Sequence, residues 1–87
     1  MALFRMSIHI EDGDITVRLN DTRIARNTGV WQQEINVHQS HIVQWFVQGR
    51  SGSSYSITIS NPNEAEFHLT RTLGHTEKDF GGFQFST

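Results

Sequence analysis

The chain has no cysteine, a single proline and no long apolar run. The first absence excludes disulfide staples and thiol chemistry, though it leaves the compartment open, since many exported domains also lack cysteine. The missing run is plain at the start, MALFRMSIHIEDGD, where Arg5 and His9 interrupt the apolar residues. Neither a signal-peptide core nor a membrane span is expected there. An excess of one charge is lacking too. Seven Lys and Arg stand against nine Asp and Glu, a formal net charge of −2. So weak a field attracts neither nucleic-acid phosphates nor an anionic bilayer, so no nucleic-acid partner and no membrane insertion are expected.

What is present suffices to fold. Hydrophobic residues make up 36% of the 87 and are spread along the chain, which argues against disorder. The length accommodates one domain, 1–87, with a thin core that buries only a little over about 60% of the unfolded surface.

The dominant pattern is alternation. Phe4, Met6, Ile8 and Ile10 alternate with Arg5, Ser7 and His9, and Ile15, Val17 and Leu19 alternate with Thr16, Arg18 and Asn20. Both are strands with one buried face, and the Asp12-Gly13 signal between them predicts a hairpin. Asn20-Asp21 reads as a turn, Thr22 to Arg26 as a short strand and Asn27 to Gly29 as another turn. Val30 to His38 places Trp31, Ile35 and Val37 inward, with Gln33 marking a bulge or a sheet edge.

HIVQWFVQG carries apolar residues at both parities, the signature of a central strand covered on both sides. Across Gly49 to Ser53 a second hairpin is predicted, its far strand turning Tyr55, Ile57 and Ile59 inward and Ser54, Ser56, Thr58 and Ser60 outward. Glu64 to Thr72 is read as strand, GHTEKDFGG as loop and FQFST as a last strand. No segment sustains a 3.6-residue period. About seven short strands predict an all-β fold, a small antiparallel β-sandwich of immunoglobulin-like architecture, with Trp45 central but without the inter-sheet cysteine pair.

Five histidines in so short a chain raise the question of zinc, and His38 and His41 are the closest pair. Three apart on one strand they point to opposite faces, so they are read as solvent-facing and no metal or other cofactor is expected. Glu11, Asp12, Asp14, Asn20 and Asp21 offer oxygen ligands for calcium without an EF-hand pattern. No nucleophile motif is present: in Gly49-Arg50-Ser51-Gly52-Ser53 the second glycine stands one place early for a nucleophile elbow. Asn20-Asp21-Thr22 matches a glycosylation acceptor, meaningful only in a eukaryotic secretory setting.

Three surfaces remain as candidates for contact. The tip, with Arg50, Ser51 and Ser53, has the composition of a backbone nest for an anion, Gly49 and Gly52 supplying positive φ. Trp31 is the aromatic placed for exposure and for stacking on a sugar ring. The hydroxyl face of Ser54, Ser56, Thr58 and Ser60 is uncharged and β-prone, the composition of an unprotected edge that pairs with another chain. The function expected is a non-enzymatic protein-binding or assembly module, self-associating through that face. The alternatives are a carbohydrate-binding module using Trp31 and a small metal-dependent or hydrolytic enzyme.

Overall fold

The computed structural model describes residues 2–87. It contains eight strands: β1 (Ala2–Ile10), β2 (Gly13–Leu19), β3 (Thr22–Arg26), β4 (Gly29–Ile35), β5 (Ser40–Gly49), β6 (Ser54–Asn61), β7 (Phe67–Thr72) and β8 (Lys78–Ser86). A 3-10 turn, Asn63–Ala65, precedes β7. Two four-stranded antiparallel sheets, ordered β4-β1-β6-β7 and β3-β2-β5-β8, pack face to face as a small β-sandwich. β1 and β2 lie in opposite sheets, whereas the first two strands of an immunoglobulin domain share one.

Alternation predicts the buried face correctly. Phe4, Met6, Ile8 and Ile10 meet Ile15, Val17 and Leu19 across the core, with Val43, Trp45, Val47, Tyr55, Ile57 and Ile59 completing it. Phe85 stacks on Phe4, and Phe83 on Phe67, at ring separations of 6.1 and 4.7 Å, so aromatic rings close the side of the sandwich between β7 and β8.

Pairing departs from expectation. Glu11-Asp12 joins β1 to β2 as a corner between sheets, not as a hairpin, and the Gly49–Ser53 tip is likewise a corner between β5 and β6. The tight hairpin falls at Asn20-Asp21, both at positive φ (51° and 66°) between the paired Leu19 and Thr22, the backbone that twisted strands favour. Strand β4 stops at Ile35, leaving Val37 exposed. Gln33 pairs in register with Phe4 on an edge strand, so no bulge forms there.

Two further differences bear on function. The segment read as a loop before Phe83 is strand from Lys78 onward. β5 is central within its sheet, between β2 and β8, but is covered on one face only: His41, Val43, Trp45 and Val47 are buried while Ile42 and Phe46 are exposed.

Candidate binding surface

The candidates from sequence separate once their surroundings are known. At the tip, the Ser53 hydroxyl is buried and accepts the Asp12 N–H at 2.8 Å. The backbone N–H groups of Gly49, Arg50, Gly52 and Ser53 donate to the carbonyls of Glu77, Asp12, Leu73 and Arg50. A nest needs free donors, and four of the tip's are committed to holding the corner. Gly52 does adopt positive φ (89°), whereas Gly49 does not. Arg50 and Ser51 are exposed, with the Arg50 guanidinium 3.5 Å from Asp12. Ser53 is therefore a latch between the Glu11-Asp12 corner and the Gly49–Ser53 corner, with its hydroxyl already engaged.

Trp31 lies on the inward side of β4 opposite Met6, half-buried against the core, its indole over Gly29. A sugar platform requires an exposed ring face, and this ring caps the open side of the sandwich.

His41, expected in solvent, is buried. Its Nδ1 meets the Asn20 side-chain amide at 2.9 Å, its Nε2 meets the Asn36 carbonyl at 3.0 Å, and the ring stacks on Phe85. An amide donor on Nδ1 and a carbonyl on Nε2 suit the neutral imidazole with its proton on Nε2. Asn20 Oδ1 also accepts the Ile42 N–H, so this asparagine ties the β2–β3 turn to β5. His38 is exposed. Among the described residues no three His, Cys, Asp or Glu side chains converge as metal ligands.

The hydroxyl residues Ser54, Ser56, Thr58 and Ser60 do point away from the core, but β6 is paired on both sides, to β1 and to β7. It presents a face and no edge. That face carries an array missed from sequence: His68 on β7 meets Thr58 Oγ1 at 2.8 Å through Nδ1 and Thr70 Oγ1 at 3.3 Å through Nε2. The β6–β7 register places Thr58 directly opposite His68, a pairing invisible without knowing which strands are neighbours. Both imidazole nitrogens are engaged by hydroxyls and no carboxylate orients the ring, so the group lacks the third member of a nucleophile–base–acid relay.

At the opposite end of the same strands, Tyr55 Oη donates to Asp79 Oδ2 at 2.5 Å, and Arg71 lies 3.6 Å from the same oxygen. Burial, reinforced by the hydrogen bond to Asp79, pushes the phenol well above its ordinary range. Tyr55 and Asp79 stand on different sheets, so the bond ties β6 to β8.

The largest departure from a polar exterior is on the outer face of β5 and β8. Ile42, Phe46 and Phe80 are 48, 47 and 76% exposed. The register sets Phe46 beside Phe80, Gln44 beside Gly82 and Ile42 beside Gln84. Gly82 contributes no side chain, and a Cβ there would fall 2.6 Å from the Val43 carbonyl oxygen. A shallow trough of about 570 Å³ results, floored by Gly82 and flanked by Phe46, Phe80, Ile42, Gln44 and Gln84. On the inward side Gly81 performs a related task, since a Cβ there would lie 2.6 Å from the Trp45 indole. The Arg18 guanidinium sits over the Phe46 ring, 5.8 Å from its centre.

No family model matches the chain, and no curated protein or solved structure is significantly similar to it.

Proposed function

We propose that the protein is a non-catalytic binding or assembly module that makes protein–protein contacts through the outer face of β5 and β8. One observation carries the reading: Phe46 and Phe80 stand side by side and, with Ile42 beyond Gln44, rim one shallow trough over Gly82. By their fractional exposures the adjacent Phe46 and Phe80 show roughly 250 Å² to solvent, near the lower end of the range for the largest patch on a monomer, which is often functional. The other exposed apolar residues are dispersed. Leu3 and Val30 are separated on the opposite sheet by Arg5, and Val37 lies outside the strands. Protein recognition asks for such a patch, and Trp31, half-buried against the core, does not offer the exposed ring on which the carbohydrate alternative rested.

Selection of a displayed peptide library on the wild-type chain tests this. Peptide ligands are expected, with binding lost in a Phe46→Ser/Phe80→Ser variant and retained in Ser56→Lys/Ser60→Lys. Ligands that bind both variants equally, or oligosaccharide binding with no peptide ligand, would overturn it.

A further inference from the structure

The outer face of β5 and β8 continues onto β2 and β3, and its chemistry changes along the way. The register sets two rows across the sheet: Phe80, Phe46, Thr16 and Arg26 in one, Gly82, Gln44, Arg18 and Arg23 in the next. Each row starts at an apolar feature on β8 and ends at an arginine on β3. Arg18, Arg23 and Arg26 are exposed, and Arg18 joins the two halves of the face by lying over the Phe46 ring.

The net charge hides this segregation. Nine Asp and Glu outnumber seven Lys and Arg in the chain. The strands of this sheet nevertheless turn Arg18, Arg23, Arg26 and Lys78 outward against Asp14, which shares the end row with Gln48 and Lys78, while Asp79 faces inward to Tyr55. Among the described residues the ion pairs are Arg50–Asp12 and Arg71–Asp79, so no carboxylate neutralises the three arginines. Arg18 and Arg23 stand directly opposite one another, an arrangement that costs stability until an anion comes between them.

We propose that the partner of this face is an acidic segment of another protein, which seats one apolar side chain in the Gly82 trough and its carboxylates on Arg18, Arg23 and Arg26. The inference rests on the binding-module reading above and names the chemistry of its partner. Strands about 4.8 Å apart put the trough about 10 Å from β2 and about 14 Å from β3. An extended chain covers that distance in about three or four residues, which sets the spacing between the apolar anchor and the acidic group of the ligand. A single-stranded nucleic acid would find the positive charge, but it stacks its bases on several rings in succession. Here Phe46 already carries the Arg18 guanidinium, and Phe80 is the ring left.

Sequencing the peptides selected on the wild-type chain, then titrating the tightest by fluorescence anisotropy, tests it. The ligands are expected to be enriched in Asp and Glu at that spacing from an apolar residue, and to bind less tightly at about 300 mM salt than at about 30 mM. Arg23→Glu and Arg5→Glu make the same change in net charge on opposite sheets. Arg23→Glu, and Arg26→Glu on the neighbouring row, are each expected to weaken binding roughly fivefold or more, and Arg5→Glu less than about twofold, all with the wild-type circular dichroism spectrum. Peptides without acidic enrichment, binding indifferent to salt, or equal losses in the Arg23 and Arg5 variants overturn the acidic partner while the Phe46→Ser/Phe80→Ser variant still decides whether the face binds protein. Tight binding of an oligothymidylate with no peptide selected overturns both readings.

Discussion

The two outer faces of the sandwich are built on the same inward alternation and differ in what they turn to solvent. The β4-β1-β6-β7 sheet shows Ser7, His9, Ser56, Thr58, His68 and Thr70, with the Thr58 and Thr70 hydroxyls bonded to the His68 imidazole and Leu3 and Val30 set apart from one another. The β3-β2-β5-β8 sheet shows Ile42, Phe46 and Phe80 around the Gly82 trough. Hydroxyl groups lose little by staying wet, whereas each exposed aromatic forgoes about 1.5 kcal/mol or more that burial would return. Composition of the outward positions, with strand propensity shared by both sheets, therefore separates a hydroxyl-rich face from one that turns aromatic rings to solvent.

Removing what both faces rest on has the largest expected effect. Trp45→Ala takes out the side chain packed against Phe67, Phe83 and Gly81 and is expected to cost about 3–5 kcal/mol in urea unfolding, abolishing the distinction between the faces by unfolding both. Severing single ties between the sheets comes next. Tyr55→Phe leaves Asp79 without its phenol donor and is expected to cost about 1.5 kcal/mol. Tyr55 is the chain's one tyrosine, so its ionisation can be read alone. A phenol raised in the fold contributes stability that is fully present below its unfolded value of about 10 and is lost as pH climbs above it. The phenolate absorbance is accordingly expected to stay low past that pH and to appear only with unfolding. A titration at the ordinary value with the fold intact would refute the buried Tyr55–Asp79 tie.

The smallest stability changes sharpen the contrast most. Ser56→Lys/Ser60→Lys and Phe46→Gln/Phe80→Gln are each expected to alter stability by less than about 0.5 kcal/mol per site, since all four positions are surface ones. Only the second pair is expected to lose the selected peptide ligands.

The sequence makes the strands and their buried faces legible because a period of two reports which side of a strand is dry. It does not report which strand is the neighbour. Asp12-Gly13 has the chemistry of a hairpin turn, yet strands on either side of a corner between sheets bury the same alternate residues, so the pattern fits both pairings. β5 shows the matching limit: apolar residues at both parities fit a strand covered twice, and equally one covered once that turns Ile42 and Phe46 to solvent. Phe80 escaped notice because two glycines and flanking charges give KDFGG the composition of a loop. Those glycines instead serve Trp45 on one side and the trough on the other. Likewise, serines clustered at a tip look like ligand groups, although Ser53 is a buried acceptor and its neighbours' N–H groups hold a corner.

The central claim, that contact is made by the outer face of β5 and β8, is tested most directly by solvent paramagnetic relaxation with a selected peptide ligand bound at saturation, read at backbone amides and side-chain methyls. The account predicts that a soluble gadolinium chelate broadens Ser56, Thr58 and Thr70 while Ile42, Phe46, Phe80 and Gly82 are shielded. Equal broadening of the two faces, or shielding of the hydroxyl face instead, would contradict it.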